Sequence, residues 1–131
     1  MLTPLIRFRI DFTDNVNLGP GKIALLEAIK STGSISDAAR SLGMSYRRAW
    51  ILADSLKQGF TEAVIVSATG GKGGGGARVT GFGQMLIDQY RMLEREITLL
   101  GARALSEIVP RIIERSSVEK PARKRLAKRI S

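Results

Sequence analysis

The stretch Ser34-Ile35-Ser36-Asp37-Ala38-Ala39-Arg40-Ser41-Leu42-Gly43-Met44-Ser45-Tyr46-Arg47-Arg48-Ala49-Trp50 reads as two short helices joined by a tight turn. Ser36 is placed to cap the first, because a hydroxyl accepts from backbone N–H groups that a helix start leaves without partners. Ala38, Ala39 and Leu42 then form an apolar face with small residues at its centre, which lets a second helix cross closely. Gly43 follows the last apolar residue, where a left-handed backbone usually ends a helix. Ser45 offers a second cap, and Ala49, Ala53 and Leu56 give the next helix a buried stripe. Two such helices around a short turn make a helix-turn-helix, whose second member fits a DNA major groove. The exposed start of that member, expected over residues 45–58, carries Tyr46, Arg47 and Arg48.

Downstream of this motif, Ala63-Val64-Ile65-Val66-Ser67-Ala68 has the β-branched content of a strand, and Ala77-Arg78-Val79-Thr80 supplies a second. Between them lies Thr69-Gly70-Gly71-Lys72-Gly73-Gly74-Gly75-Gly76. Strand, glycine loop and strand directly after a helix-turn-helix spell a wing, a hairpin that leans on the DNA backbone with Lys72 as the cation at its tip. The same composition also suits an inert, flexible tip. Gly71, Gly73 and Gly76 match G-x-G-x-x-G in spelling, but the dinucleotide fingerprint opens a helix, and Arg78-Val79-Thr80 reads as extended. A Walker loop fails because Val66 stands at its first glycine and Gly73 follows the Gly-Lys pair.

From Phe82 a long helix is expected. Leu86, Tyr90, Leu93, Ile97, Leu100 and Ala104 alternate spacings of four and three, the seam of a two-stranded coiled coil, so a second copy of the chain is the expected partner. Gly101 weakens this helix and Pro110 kinks or breaks it. Upstream of the motif, alternation from Ile6 through Phe12 predicts a half-buried strand, Thr13 to Gly21 a turn, and Lys22 to Lys30 a helix ended by Gly33. The expected fold is mainly α with a small β wing: a winged helix-turn-helix at 1–81, a long dimerisation helix at 82–115, and a basic, disordered tail at 116–131. The tail either adds phosphate affinity or only keeps the chain soluble.

Composition narrows the chemistry. With 131 residues, 44% hydrophobic, the chain can bury one modest core. It has no Cys and no His, which removes thiol nucleophiles, histidine bases, zinc fingers and most transition-metal sites. No nucleophile–base constellation can be assembled, so no enzyme, catalytic residue, cofactor or metal site is expected. No apolar run is long enough to span a membrane, and the N-terminus is too early charged for a secretory signal. A cytoplasmic, nucleoid-associated protein is expected. The net charge is +9, about half of it in the basic tail, and favours phosphate polymers.

Individual roles follow from residue chemistry. Arg47 and Arg48 can grip guanine O6 and N7 through two parallel donors, or hold phosphates. Ser45 and Tyr46 can donate to phosphates, although Ser45 serves equally as a cap alone. Trp50 shares a face with Tyr46 and either packs or touches DNA. Ser34 and Ser36 can meet the backbone where the first motif helix crosses it, and Lys72 and Arg78 are the wing's phosphate contacts. The competing class is a winged-helix interaction module for protein or RNA, without operator specificity.

The combined pattern Ser-Ile-Ser-x-Ala-Ala-Arg…Gly-x-Ser-Tyr-x-x-Ala-Trp at Ser34–Trp50, Ala-Thr-Gly-Gly-Lys-Gly-Gly-Gly-Gly-Ala at Ala68–Ala77 and Thr-x-x-Gly at Thr80–Gly83 resembles the N-terminal half of the molybdate-responsive, ModE-type transcription regulators. The winged helix is also similar to that of LysR-type regulators. The resemblance runs from about residue 5 to 105 and implies a prokaryotic, dimeric regulator of double-stranded DNA, reading an inverted-repeat operator and dimerising through the helix after the wing. That family also carries C-terminal molybdate-binding β-domains. No counterpart follows residue 105 here, so no molybdate site is expected in this chain.

Overall fold

The computed structural model describes residues 2–68 and 75–114. The elements are β1 (Ile10–Asp11), β2 (Asn17–Leu18), α1 (Pro20–Thr32), α2 (Ile35–Leu42), α3 (Tyr46–Gly59), β3 (Ile65–Ala68), β4 (Gly76–Val79) and α4 (Gly81–Ala104), then a 3-10 turn at Val109–Arg111. Helices dominate, with two small antiparallel strand pairs, β1 with β2 and β3 with β4. Helix-turn-helix followed by a two-stranded hairpin and a long helix is the winged arrangement.

The core forms around α1. Ile23, Leu25, Leu26, Ala28 and Ile29 are all buried, so this helix is apolar nearly all round, as a central element must be. It packs on α2, α3, α4 and β4. Pro20 opens α1 two residues before the expected start, because a proline at the first helical position gives up only an N–H that has no helical partner anyway. Ala38, Ala39, Ala49 and Ala53 have at most 2% of their surface exposed, and their missing bulk lets α2 and α3 close on this hub. Leu42, expected on the same apolar face, is 38% exposed.

The caps explain the turn. Gly33 and Gly43 sit in the left-handed region at φ 88° and 68°, where other residues are strained. Ser34, not Ser36, caps α2: the helix begins at Ile35, and the Ser34 hydroxyl accepts from the Asp37 N–H at 3.0 Å. Ser36 therefore lies inside the first turn. Ser45 caps α3 as expected, accepting from the Arg48 N–H at 3.1 Å.

The hairpin is tied to the hub at its base. Ile65 pairs with Val79 and Ala68 with Gly76, so β4 begins one residue before the expected strand. The Ala77 N–H donates to the Gly33 carbonyl at 2.8 Å, and the Thr80 hydroxyl both donates to the Ala63 carbonyl at 2.6 Å and caps α4. Gly83 lets α4 meet this base, since a Cβ there would lie 2.5 Å from the Val64 carbonyl oxygen. The loop from Thr69 to Gly74, with Lys72, lies outside the described residues, as do Arg115 and the basic tail at 116–131.

Two expectations change at the ends of the chain. The N-terminal strand shrinks to Ile10–Asp11, paired with β2, which the turn-like composition of Thr13–Gly21 conceals. Residues 2–9 join no ladder and run beside α4, where Phe8 stacks on Tyr90 at a centroid distance of 4.6 Å and Ile6 meets Gly101. Second, α4 stops at Ala104 instead of continuing to 115. Pro110 has no N–H, and its ring would collide with the Ser106 carbonyl of a continuing helix, so the chain leaves the α conformation before it.

Candidate nucleic-acid interface

The buried stripe of α3, Ala49, Ala53 and Leu56, fixes what the rest of the helix presents. At 100° per residue, Arg47, Ile51, Asp54 and Gln58 lie on the opposite side, pointing away from the hub. Tyr46, Trp50 and Lys57 form the flank toward the wing, and Arg48 with Ser55 forms the other flank. Tyr46 is 56% exposed and Trp50 50%, so Trp50 is a surface residue and not part of the core. Arg47 and Arg48 are both exposed. Among the described residues neither enters an ion pair; the ion pairs present are Arg9–Asp11, Arg40–Asp37, Arg91–Glu27 and Arg91–Glu94. The start of α3 thus combines two unneutralised guanidinium groups with the positive end of a helix dipole, which favours an anion.

A cleft joins this helix to the wing. It is lined by Ser36 from α2, Tyr46 and Lys57 from α3, and Val66, Ser67 and Gly76 from the hairpin. Ser36 and Tyr46 therefore come together on the hairpin side of the motif. Arg78 is exposed and stands opposite Val66 in the antiparallel register, so it shares that hairpin's face with a residue of the cleft. Ser34 is different: half-buried, with its hydroxyl oxygen engaged by the Asp37 N–H. Ser45 is exposed although its oxygen serves the cap.

Three members of the outward stripe escape a reading centred on arginine: Ile51, 52% exposed, and Asp54 with Gln58, whose amide donates to the Asp54 carboxylate at 2.9 Å. Their spacing of four, seven and eleven residues from Arg47 is the helical period, so that period continued from Arg47 is the signal that finds them.

The seam expected along α4 is divided by the structure. Tyr90 does not face outward: it is 2% exposed, stacked on Phe8, and its hydroxyl donates to the Phe8 carbonyl at 2.6 Å. Burial, seconded by Glu94, raises the Tyr90 pKa above its ordinary 10.0, against the pull of Arg91. Leu86, Leu93 and Ile97 are half-buried, and Leu100 and Ala104 are exposed. Met85, Met92 and Leu99, at 50%, 49% and 68% exposure, add an outward row seven residues apart that the expected seam left out. Among the described residues no helix is long and apolar enough to cross a membrane.

The chain is similar to the ModE transcription regulators. It is 46% identical over 74 residues to the transcriptional regulator ModE of Yersinia pestis, covering 56% of this chain and 28% of that protein. It is 37% identical over 92 residues to the molybdenum transport protein ModE of Azotobacter vinelandii, covering 70% and 34%. The molybdenum-pterin-binding protein MopA of Rhodobacter capsulatus matches at 43% over 81 residues, covering 62% and 31%. The chain thus spans about a third or less of the length of the ModE and Mop proteins it matches, and these relatives carry the names of regulators, transport or binding proteins, not of enzymes. No protein-family model matches the chain. Among solved structures, ArgP from Mycobacterium tuberculosis aligns at a TM-score of 0.41 and 25% identity, covering 66% of this chain and 29% of that one.

Proposed function

We propose that this chain is a sequence-specific, double-stranded DNA-binding transcription regulator that works as a homodimer on the bacterial or archaeal nucleoid. Each α3 enters a major groove, the hairpin with Arg78 and Lys72 lies on the backbone, and α4 carries the contact between copies. One observation carries this reading: Arg47 and Arg48 stand exposed, without an acidic partner among the described residues, at the capped start of a helix whose opposite face is buried. ModE proteins named as transcriptional regulators support it from the side of sequence. Molybdenum stands in the names of other relatives, and nothing in the described α3 or wing strands gives it a role here.

Two heads on one dimer would span successive major grooves about 34–36 Å apart on an inverted repeat. The apolar row Met85, Met92 and Leu99, beside exposed Leu100, supports the pairing of copies, because water-exposed apolar side chains at heptad spacing gain from mutual burial. Binding to duplex DNA measured across salt is expected to weaken linearly in log–log form, as counterion release demands. Arg47→Ala with Arg48→Ala is expected to lower affinity about 100-fold and to flatten the salt slope. Unchanged affinity and sequence preference in that variant would refute the assignment of α3. Sedimentation of Met92→Glu with Leu99→Glu is expected to give monomers; dimers of unaltered stability would move the interface elsewhere.

A further inference from the structure

Ile51 has a place on the outward face of α3 that the phosphate and guanine chemistry of the arginines leaves unexplained. It follows Arg47 by four residues and precedes Asp54 by three, on the side opposite Ala49, Ala53 and Leu56. It is 52% exposed, and Trp50 beside it is 50% exposed. A β-branched aliphatic side chain in water on a helix neither packs nor favours the helix as well as Lys, Glu or Gln at the same position. A phosphate offers it nothing. A base edge does: thymine alone among the bases presents an apolar group, its C5-methyl, to the major groove.

We infer that Ile51 reads the C5-methyl group of a thymine, as a specificity-determining residue for the DNA binding proposed above, on which this inference rests. Four residues of helix rise about 6 Å, and successive bases on a strand lie about 3.4 Å apart. Ile51 is therefore within about two base steps of whatever Arg47 reaches. Asp54 and Gln58, further along the stripe, are joined to each other and share a groove with Ile51, Asn15 and Val16, and Ile51 keeps 52% of its surface exposed there. The expected half-site holds a thymine close to the base contacted by the arginine pair.

The test uses the full chain and duplexes that it selects from a random library. Each thymine of the selected half-site is replaced singly by uracil, which removes the methyl group and nothing else. The unaltered protein is expected to lose about fourfold in affinity at one or two positions, the value of one buried methyl-sized group. Ile51→Val is expected to keep that loss, and Ile51→Ser to bind thymine and uracil duplexes alike, with thermal melting confirming that both variants fold. A half-site without thymine, a flat uracil scan, or equal sensitivity in Ile51→Ser overturns the inference. If Arg47→Ala with Arg48→Ala still selects the same sequence, the recognition-helix reading falls as well. If that variant loses its selectivity while the uracil scan is flat, only the role of Ile51 falls.

Discussion

Arg91 and the pair Arg47–Arg48 are the same residue type on helices of one small protein, and their surroundings are opposite. Arg91 on α4 sends Nε and Nη2 to the two Glu27 oxygens at 3.0 and 2.6 Å, and Nη1 to Glu94 at 2.9 Å. The Glu27 hydrogen bonds raise its pKa, against a lowering by burial, with Glu94 adding to the rise. Its fork is spent inside the molecule, joining α1 to α4. Arg47 and Arg48 have no such partners among the described residues, and Ser45 secures the helix start without engaging either guanidinium. An arginine that holds a fold together is satisfied within it, whereas one that serves a partner is left with its donors open.

The contrast predicts a separation of effects. Removing Arg47 and Arg48 together should leave the melting transition within the range of ordinary surface substitutions, about 0.5 kcal/mol, while DNA affinity falls as described above. A large loss of stability in that variant would break the contrast. Next in size, Tyr90→Phe should cost about 1 kcal/mol, the net worth of a hydrogen bond whose loss leaves the Phe8 carbonyl without its donor. Because the folded-state pKa of Tyr90 is raised above 10.0, the stabilisation by its neutral hydroxyl is complete below pH 10 and is lost as the pH rises through that higher value. The gap between the unaltered protein and Tyr90→Phe, followed by denaturant unfolding, should therefore narrow in alkali. Arg91→Ala should cost no more than Tyr90→Phe, roughly 0.5–1 kcal/mol, since the Arg91 and Glu27 side chains are 34% and 41% exposed and solvent screens the pair. Its DNA affinity per head should be unchanged when measured on a single half-site.

The motif was legible because its signals are local. Gly43 ends a helix wherever a left-handed residue is needed, Ser45 caps whatever helix follows it, and alanines at helical spacing mark a close crossing. The hairpin was legible from β-branched residues on either side of a glycine run. The N-terminus conceals its conformation for a complementary reason. Alternation of apolar residues from Ile6 to Phe12 reports one wet side and one dry side, which a segment lying on a helix satisfies as well as a strand does. Likewise the spacing of Leu86, Tyr90 and Leu93 reports a helical face without saying which molecule covers it. Tyr90 is covered by the chain's own Phe8, while Met92 and Leu99 are left outside.

From the order of residues alone came the two capped helices, the turn between them, the hairpin after them and the cationic start of α3, since each depends on backbone preferences spanning a few positions. The tertiary structure decided the rest. It gave Tyr90 to the N-terminal segment and Arg91 to Glu27, and left Met92 and Leu99 outside. Those outcomes depend on which surfaces meet across long stretches of chain: Phe8 and Tyr90 are 82 residues apart, and no local preference carries that information.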